Sequence, residues 1–75
     1  MNGVAIAALE TSSIAQGIVT VDAMVKQAEV EVLEATMLSP GRYWIVVGGE
    51  VASVRAAHRR GVEAAGDTLD RKSVV

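Results

Sequence analysis

The sequence predicts an α/β (α+β) fold: a β-α-β-β-α-β chain forming an antiparallel sheet with both helices packed on one face, the split βαβ or ferredoxin-like arrangement. Three observations predict it. Apolar runs of strand length alternate with two stretches of helical periodicity. A Pro-Gly turn at Pro40-Gly41 separates two strand-like runs that follow one another directly. The chain has 75 residues, enough for one small domain and not for two.

Residues 3–9 are continuously apolar and short, the pattern of a central strand covered on both faces. Glu10-Thr11-Ser12-Ser13 follows, polar and rich in residues that cap helices. A helix is expected from about Ser12 or Ser13 to Gln27. Ile14, Ile18, Val21, Val25 and Ala28 fall on one stripe of it, and that stripe is expected to face the sheet. Gly17 inside this helix costs about 1 kcal/mol against alanine and signals close approach by another segment. Asp22 and Lys26 stand four apart, off the stripe, as an exposed ion pair.

Residues 29–37 alternate partly with period two, as a half-exposed strand does, and place Glu29 and Glu31 on one face with Glu34 nearby. Past the turn, residues 42–47 resume a strand, and Gly48-Gly49 is expected to break it. A second helix is expected from about Glu50 to Thr68. Its apolar stripe runs through Val51, Val54, His58, Gly61 or Val62, Ala65 and Leu69. Lys72-Ser73-Val74-Val75 is long enough only to start a last strand, which reads as cut short at residue 75.

Composition narrows the function. Hydrophobic residues make up 51% and charged residues 21%, too apolar for a disordered chain. No stretch approaches the roughly 18–20 apolar residues of a membrane span. The absence of cysteine excludes disulfides, thiolate metal sites and a cysteine nucleophile. Val supplies 13 and Ala 12 of the hydrophobic residues, Phe is absent, and Tyr43 and Trp44 are the only aromatics. A small chain without large anchors leaves apolar surface uncovered, so an oligomer is expected. A net charge of −2 is a poor footprint for nucleic acid. Arg55, Arg59 and Arg60, continued by Arg71 and Lys72, read as a solvated basic face near a helix end rather than a phosphate site. The N-terminus lacks the positive region of a secretory signal, which points to the cytosol.

No catalytic constellation emerges. His58 is the single histidine, without a second His or a Cys to share a metal, and reads as a packed or edge side chain. Thr11, Ser12 and Ser13 are caps before they are nucleophiles. Gly48-Gly49 ahead of a helix is a weak anion-binding signal without the glycine fingerprints of nucleotide sites.

Taken together, the motifs resemble bacterial microcompartment shell proteins, the BMC-domain family. Asp22, Ala23, Met24, Lys26 and Ala28 match an Asp-Ala-Met-x-Lys-x-Ala signature, and Ala-Leu-Glu-Thr at 8–11 matches the strand before it. Gly48-Gly49-Glu50-Val51 with Val54 and Ala57 is similar to the family's strand–helix junction. The similarity runs over roughly residues 4–75. It implies a structural protein, not an enzyme. Its subunits form cyclic hexamers that tile with other shell proteins around encapsulated enzymes, and small polar metabolites pass through a central pore.

By the same resemblance, Leu38, Ser39, Pro40 and Gly41 line the pore, Arg42 stands near its mouth, and Lys26, beside Asp22, contacts the neighbouring oligomer at the tile edge. Six copies of a tight loop around an axis act as a size and polarity filter. Many single-domain members carry a Gly-Ser-Gly loop. Ser-Pro-Gly here is closer to a subgroup of tandem-domain members with Cys-Pro-Gly, whose pore cysteines hold an iron–sulfur cluster. Ser39 stands in the cysteine's place, and a serine oxygen is a poor ligand for a soft cluster, so no cofactor and no metal are expected. An arginine edge motif that the family carries beyond the last strand has no counterpart here. Two other readings stand beside the hexamer: one half of a tandem-domain trimeric shell protein, and a ferredoxin-like regulatory module binding a small ligand.

Overall fold

The computed structural model describes residues 3–75; Met1 and Asn2, at the head of the N-terminal stretch read above, lie outside the described residues. The elements are β1 (Val4–Thr11), α1 (Ile14–Gln27), β2 (Glu31–Ser39), β3 (Arg42–Glu50), α2 (Val51–Ala65), a 3₁₀ turn (Gly66–Thr68) and β4 (Leu69–Val74). The sheet order is β2-β3-β1-β4, and all neighbouring strands run antiparallel. This is the expected architecture, with both helices on one face.

Alternation along β1 turns Ala5, Ala7, Leu9 and Thr11 toward the helices, opposite Ile45 and Val47 of β3. Met24 of α1 and Val54 and Ala57 of α2 close the core above them. The large buried side chains are Leu9, Met24, Ile45, Val47 and Val54, with no aromatic among them. So small a core depends on close approach. At Gly61 a Cβ would stand 2.5 Å from Leu9 Cδ1 and 2.7 Å from Met24 Sδ; at Gly17 it would stand 2.5 Å from Cδ2 of Tyr43. Gly61 therefore seats α2 on β1 and α1, and Gly17 seats α1 on β3.

Local chemistry sets the helix ends. Ser13 caps α1, its Oγ accepting from the Gln16 N–H at 3.1 Å. At the end of α2, Gly66 takes φ +54°, and the Thr68 hydroxyl donates to the Ala65 carbonyl at 2.6 Å. The second helix thus ends at Ala65, short of the expected Thr68, and Leu69 opens β4 instead of continuing the helical stripe. β4 begins three residues before Lys72 and pairs with β1 from Thr11 to Ala7, followed by a two-way backbone exchange between Ile6 and Val75.

Three further expectations are corrected. Gly48-Gly49 does not break β3, which stays paired with β1 through Glu50. Glu29 lies before β2; a register shift between Val32 and Glu34 instead puts Glu31 and Glu34 on one face, opposite Gly48 and Val46. The stripe expected to face the sheet from α1 does so only at its margin, where Val21 and Ala28 pack against the core; the helix is rotated. Its buried residues are Gly17, Thr20 and Met24, while Ile18 is 53% and Val25 41% exposed. Gln16 explains the rotation. Its Nε2 donates to the Ala64 carbonyl of α2 at 2.7 Å, which fixes the side of α1 that meets α2. Val25 lies two and a half turns from Gln16 at about 100° per residue, and so faces away.

Replacing Gly61 by alanine is expected to cost about 2–3 kcal/mol, because Leu9 and Met24 are themselves locked in the core. Urea denaturation should show the loss as a lower midpoint at unchanged slope.

Candidate functional site

The β2–β3 hairpin carries the residues that sequence analysis singled out for the pore. Ser39 pairs with Arg42, leaving Pro40 and Gly41 as a two-residue turn. Proline presets its own φ, and Gly41 takes φ +80°, the value of the third position of a type II turn. A second register shift, between Met37 and Ser39, leaves Leu38 out of the ladder. Leu38, Ser39, Pro40 and Gly41 are all exposed, and the structure brings them together at one tip.

The strand registers place this tip at one end of the molecule. Thr11 pairs with Tyr43 beside the turn, while Val4 pairs with Glu50 at the far end. α1 starts just after Thr11 and runs back along the sheet, so Lys26 in its last turn sits about 20 Å from its start. Lys26 Nζ meets Asp22 Oδ2 at 2.8 Å, and both side chains are largely exposed. Such a pair contributes a few tenths of a kcal/mol. The positive end group also complements the helix C-terminus.

Arg42 leaves the turn for the sheet. It donates from one Nη to Glu10 Oε2 at 2.7 Å and also pairs with Asp70. Arg71 Nε approaches the other Glu10 oxygen at 3.5 Å. Glu10 is only 3% exposed, so these guanidiniums compensate a buried carboxylate. A third register shift makes this possible. It falls between Glu10 and Thr11, leaves Asp70 unpaired in β4, and turns that side chain toward Arg42. The sequence suggested none of this network, because its members come from three strands. Two arginines and two carboxylates balance, so Arg42 brings little net positive charge to the tip.

Elsewhere, Gln27, Ala56, Arg59, Arg60 and Glu63 line an open cleft of about 200 Å³, in which Arg60 is held by Glu63 at 2.6 Å. No three His, Asp or Glu side chains gather as a metal site among the described residues, and no described helix is long and apolar enough to cross a membrane. His58 sits beside β4 with Nε2 buried and without a partner. Burial, aided by the charge of Lys72, lowers its pKa.

Comparison with known proteins decides the family. The family model described as the BMC domain matches residues 5–75. The chain belongs to the BMC-domain family. It is similar to the bacterial microcompartment shell protein PduT of Citrobacter freundii, 42% identical over 65 residues that make up 87% of this chain and 35% of that protein. It is also similar to the shell protein EutK of Escherichia coli K12, 38% identical over 93% of this chain and 44% of that protein. The carboxysome shell protein CsoS1B of Halothiobacillus neapolitanus is 35% identical over 84% of this chain and 57% of its own length. A microcompartment protein from Desulfitobacterium hafniense has the same fold, with a TM-score of 0.93 and 35% identity over 96% of this chain and 40% of that one. This BMC chain thus spans from about a third to just over half the length of these relatives, none of which is named as an enzyme.

Two outcomes follow from the charges. Arg42→Ala strips Glu10 of its closest partner and is expected to cost about 2 kcal/mol, part of which Glu10→Gln in the same chain restores; chemical denaturation of the three variants measures both. For His58 the folded pKa lies below the ordinary 6.5, so the unfolded chain takes up the proton first as pH falls. Stability is therefore fully present above about 6.5 and declines below it, and His58→Leu should remove that part of the slope in melts between pH 5 and 7.5.

Proposed function

We propose that this BMC domain is a structural subunit of a bacterial microcompartment shell in the cytoplasm. It forms a cyclic hexamer whose β2–β3 hairpins surround a pore for small polar metabolites, and it has no catalytic role. Family membership supports the shell reading. The observation that carries the ring is the uncovered hairpin. Every residue of β2 is exposed, including Val32, Leu33, Met37 and Leu38. A strand of this composition, bare on both faces and along one edge, is a liability in a monomer and an asset at an interface.

The long shape, 41 × 18 × 16 Å, also suits a wedge arranged around an axis. With the Pro40-Gly41 tip inward, Ser39 hydroxyls and turn carbonyls form the rim, and Arg42, neutralised within its own subunit, stays out of the filter. Lys26 and Asp22 then lie at the outer end, where neighbouring rings and other shell proteins meet. Encapsulated enzymes would occupy the enclosed space.

A second reading is favoured by length. The match spans 35% of PduT, as one domain of a tandem, trimer-forming subunit would. Here the hairpins of two domains per chain would surround the same pore.

Native mass measurement tests the ring: a species of six domains is expected, and a monomer or dimer would rule it out. In the same assay Lys26→Ala should leave the ring mass unchanged, while electron microscopy shows that extended sheets or tubes are lost.

A further inference from the structure

Among the described residues, His58 Nε2 is the one buried side-chain polar atom without a hydrogen-bond partner. Such an atom costs stability, and in a core this small it calls for a reason. Two periodicities set its surroundings. Arg55, His58 and Val62 fall at spacings of three and four on α2, beside the Val54, Ala57 and Gly61 stripe that enters the core. On β4, Leu69, Lys72 and Val74 stand opposite Thr11, Leu9 and Ala7, which face the helices, and so share that face. His58 lies close enough to Lys72 for the ammonium to act on its ring. β4 is an edge strand, exposed at every residue from Asp70 to Val75. Ion pairs tie its first half, Asp70 to Arg42 and Arg71 to Glu10. Beyond Arg71 it is held by its backbone bonds to β1 and its contact with α2.

We propose that His58 is a proton-operated latch on the second half of β4: neutral, it seats α2 on the strand, and charged, it leaves the contact and frees the strand from the sheet edge. In the imidazolium both ring nitrogens are donors, and Nε2 has nothing to donate to. The charges around it are of its own sign, Lys72 on β4 and Arg55 and Arg59 on α2. The packed elements supply no free carboxylate to answer them. β1 presents Ala5, Ala7, Leu9 and Thr11, and β3 presents Ile45, Val47 and, under α1, Tyr43. Asp70 is paired with Arg42, Glu63 with Arg60, and Asp22 of α1 with Lys26. Glu50 and Asp67 lie beyond the two ends of α2. The lowered pKa of His58 has the matching sign: the released state takes up the proton first, so release is favoured as pH falls below 6.5. The latch acts inside one subunit and does not depend on a ring.

Hydrogen exchange of the full chain between pH 7.5 and 5, expressed as protection factors to cancel the intrinsic pH dependence, tests it. The reporters are the Ile6 and Val75 amides, each bonded to the other's carbonyl across the β1–β4 edge. Both should be less protected than the Met24 amide in the core helix. Their protection should fall with pH by up to about tenfold per unit, the limit for a single proton. His58→Gln, which cannot charge, should abolish the fall. Lys72→Glu sets a carboxylate beside the ring, so protection should instead rise as pH falls. Circular dichroism reports whether each variant is folded, and if His58→Gln is not, the reversed sign in Lys72→Glu carries the test. An equal fall in folded His58→Gln, a fall of unchanged sign in Lys72→Glu, or Ile6 and Val75 amides protected as fully as Met24 would overturn the latch.

Discussion

The seat of α1 on the sheet rests on the contact between Gly17 and Tyr43. The tyrosine side chain occupies the space that a side chain at residue 17 would fill, so the helix settles close over β3. Gln16, bonded to the Ala64 carbonyl, fixes the rotation of the same helix against α2. With α1 held over β3 and α2 over β1 and β4, β2 lies almost beyond the helical layer. The bare hairpin, the outward stripe on α1 and the elongated shape follow from that placement.

Charge is arranged with equal economy. The one deeply buried carboxylate, Glu10, is gripped by guanidiniums from β3 and β4. Asp70 joins through a bulge that breaks the β1–β4 register. This network ties the base of the hairpin turn to the strands beside it. The carboxylates of β2 and the cations of Arg55 and Lys72, by contrast, are left at the surface. The buried carboxylate is satisfied within the subunit, and the exposed charges either pair along a helix, as Lys26 with Asp22 and Arg60 with Glu63, or stay in water.

Much of this was legible in the residues. The order of elements followed from periodicity, the turn from Pro40-Gly41, the helix start from Ser13, and the family from the Asp-Ala-Met-x-Lys run. What was not legible required long-range partners. Counting by helical period found the Ile14–Ala28 stripe but turned it too squarely onto the sheet, which takes Val21 and Ala28 and leaves Ile18 and Val25 outside, because the period says that a face is apolar and not what covers it. Counting by two set Glu29 beside Glu31 on the strand, whereas β2 starts at Glu31 and a bulge without a local mark brings Glu34 to that face. Gly48-Gly49 read as a break because glycine disfavours strands, yet both stay in the ladder, paired with Ile6 and Ala5, with Gly49 at φ +151°. The Glu10 network joins residues separated by some 30 and 60 positions and leaves no trace in the local pattern.

The exposure of β2 bears on what stability means for this molecule. A strand that buries so little within its own subunit adds little to the isolated fold through apolar burial, and its contribution there comes mainly from its pairing with β3. Most of its apolar surface leaves water only when another surface arrives. In the proposed ring, folding and association would be linked by mass action, and the melting temperature would become a function of protein concentration rather than a constant of the chain. Dilution of such a ring would loosen the hairpin before the core around Leu9 and Met24, so there the tip would be the part of the molecule whose order depends most on company.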